Sequence, residues 1–125
     1  MTQYPHVLPA TTMIGSKVVN PAGEQLGILK ELVIDLEDGR IAYAVLSFGG
    51  LLGVGDKLFA IPWEALMLNI NANDHTFVLD VDKKVLKEAP GFDKDHWPND
   101  AQYEAGWLLD IYEYYGYSPY WMHDK

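Results

Sequence analysis

Gly27-Ile28-Leu29-Lys30-Glu31-Leu32-Val33-Ile34-Asp35-Leu36-Glu37-Asp38-Gly39-Arg40-Ile41-Ala42-Tyr43-Ala44-Val45-Leu46-Ser47-Phe48 decides the fold. Two apolar, β-branched runs flank Asp38-Gly39, a pair that supplies the positive φ a tight turn needs, so the stretch predicts an antiparallel hairpin. In the first arm, alternation places Ile28, Lys30, Leu32, Ile34 and Leu36 on one face, which reads as core. Leu29, Glu31, Val33 and Asp35 fall on the other. In the second arm both sets are apolar: Ile41, Tyr43 and Val45 against Ala42, Ala44, Leu46 and Phe48. A strand buried on both faces needs a cover outside its own sheet, either another part of the chain or a second subunit.

Working outward, short apolar runs punctuated by Gly, Pro, Asn and Asp continue from Ile14 to Val81, the pattern of a small β meander or barrel. About six strands fit, near Lys17–Asn20, Gly27–Leu36, Arg40–Phe48, Lys57–Ile61, Leu66–Ile70 and Thr76–Val81. Asn71-Ala72-Asn73-Asp74 tolerates left-handed geometry and predicts a second hairpin. Pro62 lacks the donor needed to prolong the fourth strand, and Trp63–Ala65 reads as a corner.

Ten of the 16 aromatic residues lie in the last 37 positions, from Phe92 to Trp121. Asn99 or Asp100 suits a helix N-cap after Pro98, and Gly116 suits its end. Within that helix Tyr103, Trp107, Ile111 and Tyr114 recur at helical spacing, with Leu108 and Tyr115 beside them. Glu104, Asp110 and Glu113 fill much of the remainder. This stripe is the candidate cover for Ile41–Phe48, supplied in cis or by a second subunit.

The chain has 125 residues, 49% hydrophobic and 22% charged, which suits one folded domain with an appendage. The organisation expected is an N-terminal extension over 1–12, a β domain over 13–88 and a helical aromatic tail over 89–125. A net charge of −9 opposes phosphate backbones and anionic headgroups, so nucleic acid is excluded as an expected partner. The tail carries 2 basic and 7 acidic residues. Cysteine is absent, which removes disulfides, thiol catalysis and thiolate metal sites. Neither a signal-like stretch nor an apolar run near the ~18 residues of a membrane span occurs, and a cytoplasmic protein is expected.

The stretch from Ile14 to Pro62 resembles the PRC-barrel family, whose barrel is shared by the photosynthetic reaction centre H subunit and the C-terminal domain of the ribosome maturation factor. The matching elements are Ile14-Gly15-Ser16-Lys17-Val18, Asn20-Pro21-Ala22-Gly23-Glu24-Gln25-Leu26-Gly27, Leu32-Val33-Ile34-Asp35, Gly39-Arg40-Ile41-Ala42-Tyr43 and Phe59-Ala60-Ile61-Pro62-Trp63. With Leu66, Leu79 and the strand pattern they cover about residues 13–88. The resemblance implies a mainly β, antiparallel, SH3-like barrel of about six strands with a C-terminal aromatic α-helix. Its signature residues here are Gly23, Gly27, Asp35, Gly39, Pro62 and Trp63. The tail, from His96-Trp97-Pro98-Asn99-Asp100 to Tyr114-Tyr115-Gly116-Tyr117-Ser118-Pro119-Tyr120-Trp121, is similar to the extension of free-standing bacterial members.

The glycine-rich loop Gly49-Gly50-Leu51-Leu52-Gly53-Val54-Gly55 lacks the Lys-Ser/Thr and the following helix of a phosphate site. Leu51 and Leu52 instead make it a candidate docking tip. Asp93-Lys94-Asp95-His96 lacks the glycine and glutamate of an EF-hand and reads as helix capping and a solvated turn. Glu31 and Asp35, about 13 Å apart along one strand, are too far apart for an acid–base pair. Ser16, Ser47, Thr76 and Ser118 sit in ordinary contexts with no triad.

The expectation is therefore a non-catalytic interaction or assembly module with no cofactor and no catalytic or metal-binding residue. Its candidate contacts are Leu51, Leu52, Tyr103, Trp107, Ile111, Tyr114 and Tyr115, and its partner is a second copy or another protein. The rival is a small-ligand or metal-binding regulatory barrel. An accessory role in photosynthetic electron transfer is implied by family analogy alone.

Overall fold

The computed structural model describes residues 7–48, 57–68 and 75–122. Strands β1 (Lys17–Val19), β2 (Gln25–Asp35), β3 (Arg40–Phe48), β4 (Lys57–Pro62), β5 (Leu66–Leu68), β6 (Phe77–Leu79) and β7 (Phe92–Asp93) are joined by helices α1 (Ala10–Met13), α2 (Lys83–Lys87), α3 (Asp100–Glu104) and α4 (Trp107–Tyr115). Short 3-10 turns occupy Trp63–Ala65 and Tyr120–Met122. The strands form one seven-stranded sheet in the order β5-β6-β1-β2-β3-β4-β7. The fold is mainly β, with two departures from the sequence expectation. The sheet is mixed, because β1 pairs parallel with β6, and β7 adds a strand within the expected helical tail.

The ladder does not join β5 to β7, yet the sheet is rolled. Strands β4 and β6 stand four ladder steps apart, about 19 Å in a flat sheet, but Trp63, directly after β4, packs its ring 6.4 Å from that of Phe77 in β6. The roll encloses one apolar core from Val18, Leu26, Leu29, Ala44, Leu46, Phe59, Ile61, Phe77 and Leu79, with Leu86 of α2 as a lid. Asp82 caps α2 by accepting from the Lys84 N–H.

The β2–β3 hairpin is longer than the two-residue turn expected from Asp38-Gly39. Residues Leu36–Gly39 form the loop, closed by the Gly39 N–H donating to the Asp35 carbonyl at 2.8 Å, with Gly39 at φ +66°. The Asp35 carboxylate accepts from the Glu37 and Asp38 N–H groups and organises the turn.

The expected alternation of β2 fails for a definable reason. Pairing with β3 slips between Leu29 and Glu31 and again between Val33 and Ile34. Each bulge shifts the phase of inward-facing residues. Leu29 and Leu32 consequently both pack on the core, as does Leu26, which lies at a further irregularity in the pairing with β1, whereas Ile28, Ile34 and Leu36, assigned to the core face by alternation, are exposed.

Candidate interaction surface: the tail on its sheet

Strand β3 sends Ala44 and Leu46 into the rolled core. Its Ala42, Tyr43 and Val45 pack in a second apolar cluster with Leu58 and Ala60 of β4 and Ile111, Tyr112 and Tyr120 of the tail. The cover over the doubly apolar strand is thus this chain's own tail.

Local chemistry explains how the tail reaches that face. After β7 pairs with Lys57 and Leu58, Asn99 caps α3 in a reciprocal capping box with Gln102. The sequence predicts one helix to Gly116, but Gly106 adopts φ +92° and divides it into α3 and α4. A left-handed residue cannot continue a right-handed helix. Gly116, at φ +81°, ends α4, and the chain then returns to the sheet through Tyr120.

Five tyrosine hydroxyls, in four hydrogen bonds, fasten this layer. Tyr112 donates to the Ala42 carbonyl at 2.6 Å, Tyr120 to the Asp35 carboxylate at 2.6 Å, and Tyr114 to the Val85 carbonyl at 2.7 Å. The hydroxyls of Tyr43 and Tyr103 share a 2.5 Å hydrogen bond. Arg40 stacks its guanidinium 4.1 Å above the Tyr120 ring while pairing with Glu64 at 3.0 Å. The Tyr120 hydrogen bond, the two backbone N–H groups and Arg40 together hold the Asp35 carboxyl below its ordinary range despite some desolvation. Burial pushes the Tyr43, Tyr112 and Tyr120 hydroxyls well above theirs.

Beside this interface lies a chain of rings in edge-to-face contact. Trp97 meets Phe92 at 5.1 Å, Phe92 meets Trp107 at 6.1 Å, and Trp107 meets both Tyr103 at 5.7 Å and Tyr43 at 5.6 Å. Tyr43 is buried, while Trp97 and Tyr103 are each 38% exposed. The ring chain therefore begins in the core and ends at the surface. Nearby, Asp93 Oδ1 and His96 Nδ1 approach to 2.7 Å. That contact lowers the Asp93 carboxyl and raises the His96 imidazole from their ordinary values.

Of the residues singled out in the sequence, Ile111 is buried, Trp107 and Tyr115 are half-buried in the tail interface, and Tyr103 and Tyr114 are partly exposed. Tyr103 and Trp107 touch, whereas Tyr114 reaches the other way, to α2. Leu51 and Leu52 lie outside the described residues. Of the signature residues, Gly23 turns at φ +89°, a Cβ on Gly27 would fall 2.2 Å from the Ser47 carbonyl oxygen, and Pro62 ends β4. Among the described residues no three His, Cys, Asp or Glu side chains converge on a metal-sized site, and no helix is long and apolar enough to cross a membrane.

Sequence reasoning missed Tyr112, Tyr120, Phe92 and Trp97. Tyr112 lies one residue past Ile111, four after Leu108 and three before Tyr115, and the face α4 turns to the sheet includes that flank of the stripe. Tyr120 lies beyond the helix, where periodicity carries no signal.

No curated protein matches the chain. The model of the PRC-barrel domain matches residues 5–86, ending at α2 and leaving the aromatic tail outside it. That match takes in β1 to β6, the rolled core and the Pro62-Trp63 corner, and the chain belongs to the PRC-barrel domain family.

Proposed function

We propose that the protein is a non-catalytic interaction module that contacts another protein through the outer end of its ring chain. The observation carrying this reading is the pair Trp97 and Tyr103, each 38% exposed and each backed by buried or half-buried rings. Large rings held rigid by neighbours lose little side-chain entropy on binding and contribute much of the energy in protein contacts. Ile111 and Trp107 are occupied on β3 and β4 and Tyr114 is bonded to α2, so the docking role moves to the rim of the same layer.

Cross-linking of the full chain in solution, beside Trp97→Ala, Tyr103→Ala and a remote Met67→Ala variant, tests this reading. The expected result is an adduct with a second protein that falls at least about fivefold in both ring variants, consistent with a contact residue, and persists with Met67→Ala. Equal yields in all variants, or no adduct in any, would overturn it.

A further inference from the structure

The ring chain emerges in strongly acidic company. Residues 93–97 and 99–105 are all exposed, and among them Asp93, Asp95, Asp100 and Glu104 carry carboxylates. Against these stand Lys94 and, across the β4–β7 ladder from Asp93, Lys57. Asp100 lies three residues before Tyr103 on α3, so the carboxylate and the ring share one helical face. Trp97 follows directly on the Asp93–His96 pair.

We propose that this face binds an arginine-bearing basic segment of a partner protein, an inference that rests on the interaction reading above. Three features select that occupant. The carboxylates are spread along a turn and a helix with no three gathered on one point, which suits several cations along a chain better than one metal ion. Exposed Trp and Tyr rings attract cations over their faces. Guanidinium stacks flat on such rings and can offer its fork to a neighbouring carboxylate, which an ammonium cannot do. The same charge repels acidic segments and phosphate backbones. The pairing also has a precedent within the molecule, where Arg40 lies over Tyr120 while bonding Glu64.

Titration of the full chain with a short Arg-Gly peptide, followed by tryptophan fluorescence and calorimetry, tests the proposal against Lys-Gly and Glu-Gly peptides of equal length. The expected result is saturable binding of the arginine peptide, at least about fivefold tighter than the lysine peptide and weakened by added salt. Trp97→Ala and the double variant Asp100→Asn/Glu104→Gln should each weaken it about tenfold. The hairpin variant Glu37→Gln/Asp38→Asn, which removes as much charge elsewhere, should leave it within about twofold. Absence of saturable binding, equal affinity for the lysine peptide, or equal losses in the face and hairpin variants would each overturn the assignment. If the peptide fails while cross-linking still depends on Trp97 and Tyr103, the interaction module stands and only the chemistry of its partner falls. If both fail, both readings fall.

Discussion

The Tyr120 hydroxyl donates to the Asp35 carboxylate at 2.6 Å, joining the end of the tail to the β2–β3 hairpin across 85 residues of sequence. Asp35 thereby has two tasks, ordering the hairpin through the Glu37 and Asp38 N–H groups and anchoring the layer that covers β3. Arg40, opposite Asp35 in the ladder, completes the clasp from above the Tyr120 ring.

Removing the hydroxyl in Tyr120→Phe deletes a hydrogen bond to a charged group and should lower stability by about 1 to 2 kcal/mol, read as a reduced urea midpoint. The pH dependence follows from the direction of the Asp35 shift. A carboxyl held below its ordinary value contributes stability that is present above the unfolded-state pKa and is lost as pH falls through the lower folded-state value. The wild type should therefore lose its advantage over Tyr120→Phe as the solution is acidified. A constant difference between the two as the pH falls from neutral through the carboxylate range would contradict the clasp.

His96 shifts in the opposite sense. Its imidazole is raised by the hydrogen bond and charge of Asp93, so the stabilisation is present below the ordinary histidine range and is lost as pH rises through the folded-state value. The pair is open to solvent, with 80% and 58% of the side chains exposed, and its effect belongs in a titration curve before a melting curve. Proton NMR should find the His96 midpoint above 6.5, and Asp93→Asn should bring it down. An unchanged midpoint in that variant would remove Asp93 as the cause.

Two glycines separate crowding from backbone strain. At Gly27 a Cβ would meet the Ser47 carbonyl oxygen at 2.2 Å, a backbone atom that cannot step aside without opening the β2–β3 ladder. At Gly106 a Cβ meets nothing within 4 Å, and the only penalty is φ +92°. Gly27→Ala should cost about 3 kcal/mol or more, and Gly106→Ala about 1 to 2 kcal/mol. Thermal unfolding of both variants checks the order, and a reversed ranking would contradict the packing of β2 under β3.

The β content and the need for a second cover were legible because residues Ile41–Phe48 are apolar at every parity, a pattern that survives errors of register. The faces of β2 were not. Its bulges shift the phase twice, and a register slip leaves no mark in the alternation of one strand, so Leu29 and Ile34 exchange the environments that simple alternation assigns. The single positive-φ glycine that breaks the tail helix was equally silent, since Gly106 within a helical pattern reads as tolerated. The ring chain from Tyr43 to Trp97 joins residues far apart in sequence, and only the pairing of β7 with β4 brings Phe92 to Trp107.

Tyr115 supplies the last prediction. Its side chain lies where the two apolar clusters meet, and its hydroxyl is buried without a hydrogen-bond partner among the described residues. Burial accordingly drives its ionisation well above the ordinary tyrosine range. The neighbouring tail tyrosines do not share this condition, because Tyr112, Tyr114 and Tyr120 each donate to a defined oxygen. An unpaired buried hydroxyl gives up its water for nothing in return, whereas the ring carrying it retains its packing. Tyr115→Phe should therefore raise stability by about 1 kcal/mol, while Tyr112→Phe, which strands the Ala42 carbonyl, should lower it by a similar amount. Denaturant unfolding of the two variants decides the matter: a loss in Tyr115→Phe matching that in Tyr112→Phe would show that the Tyr115 hydroxyl is bonded after all.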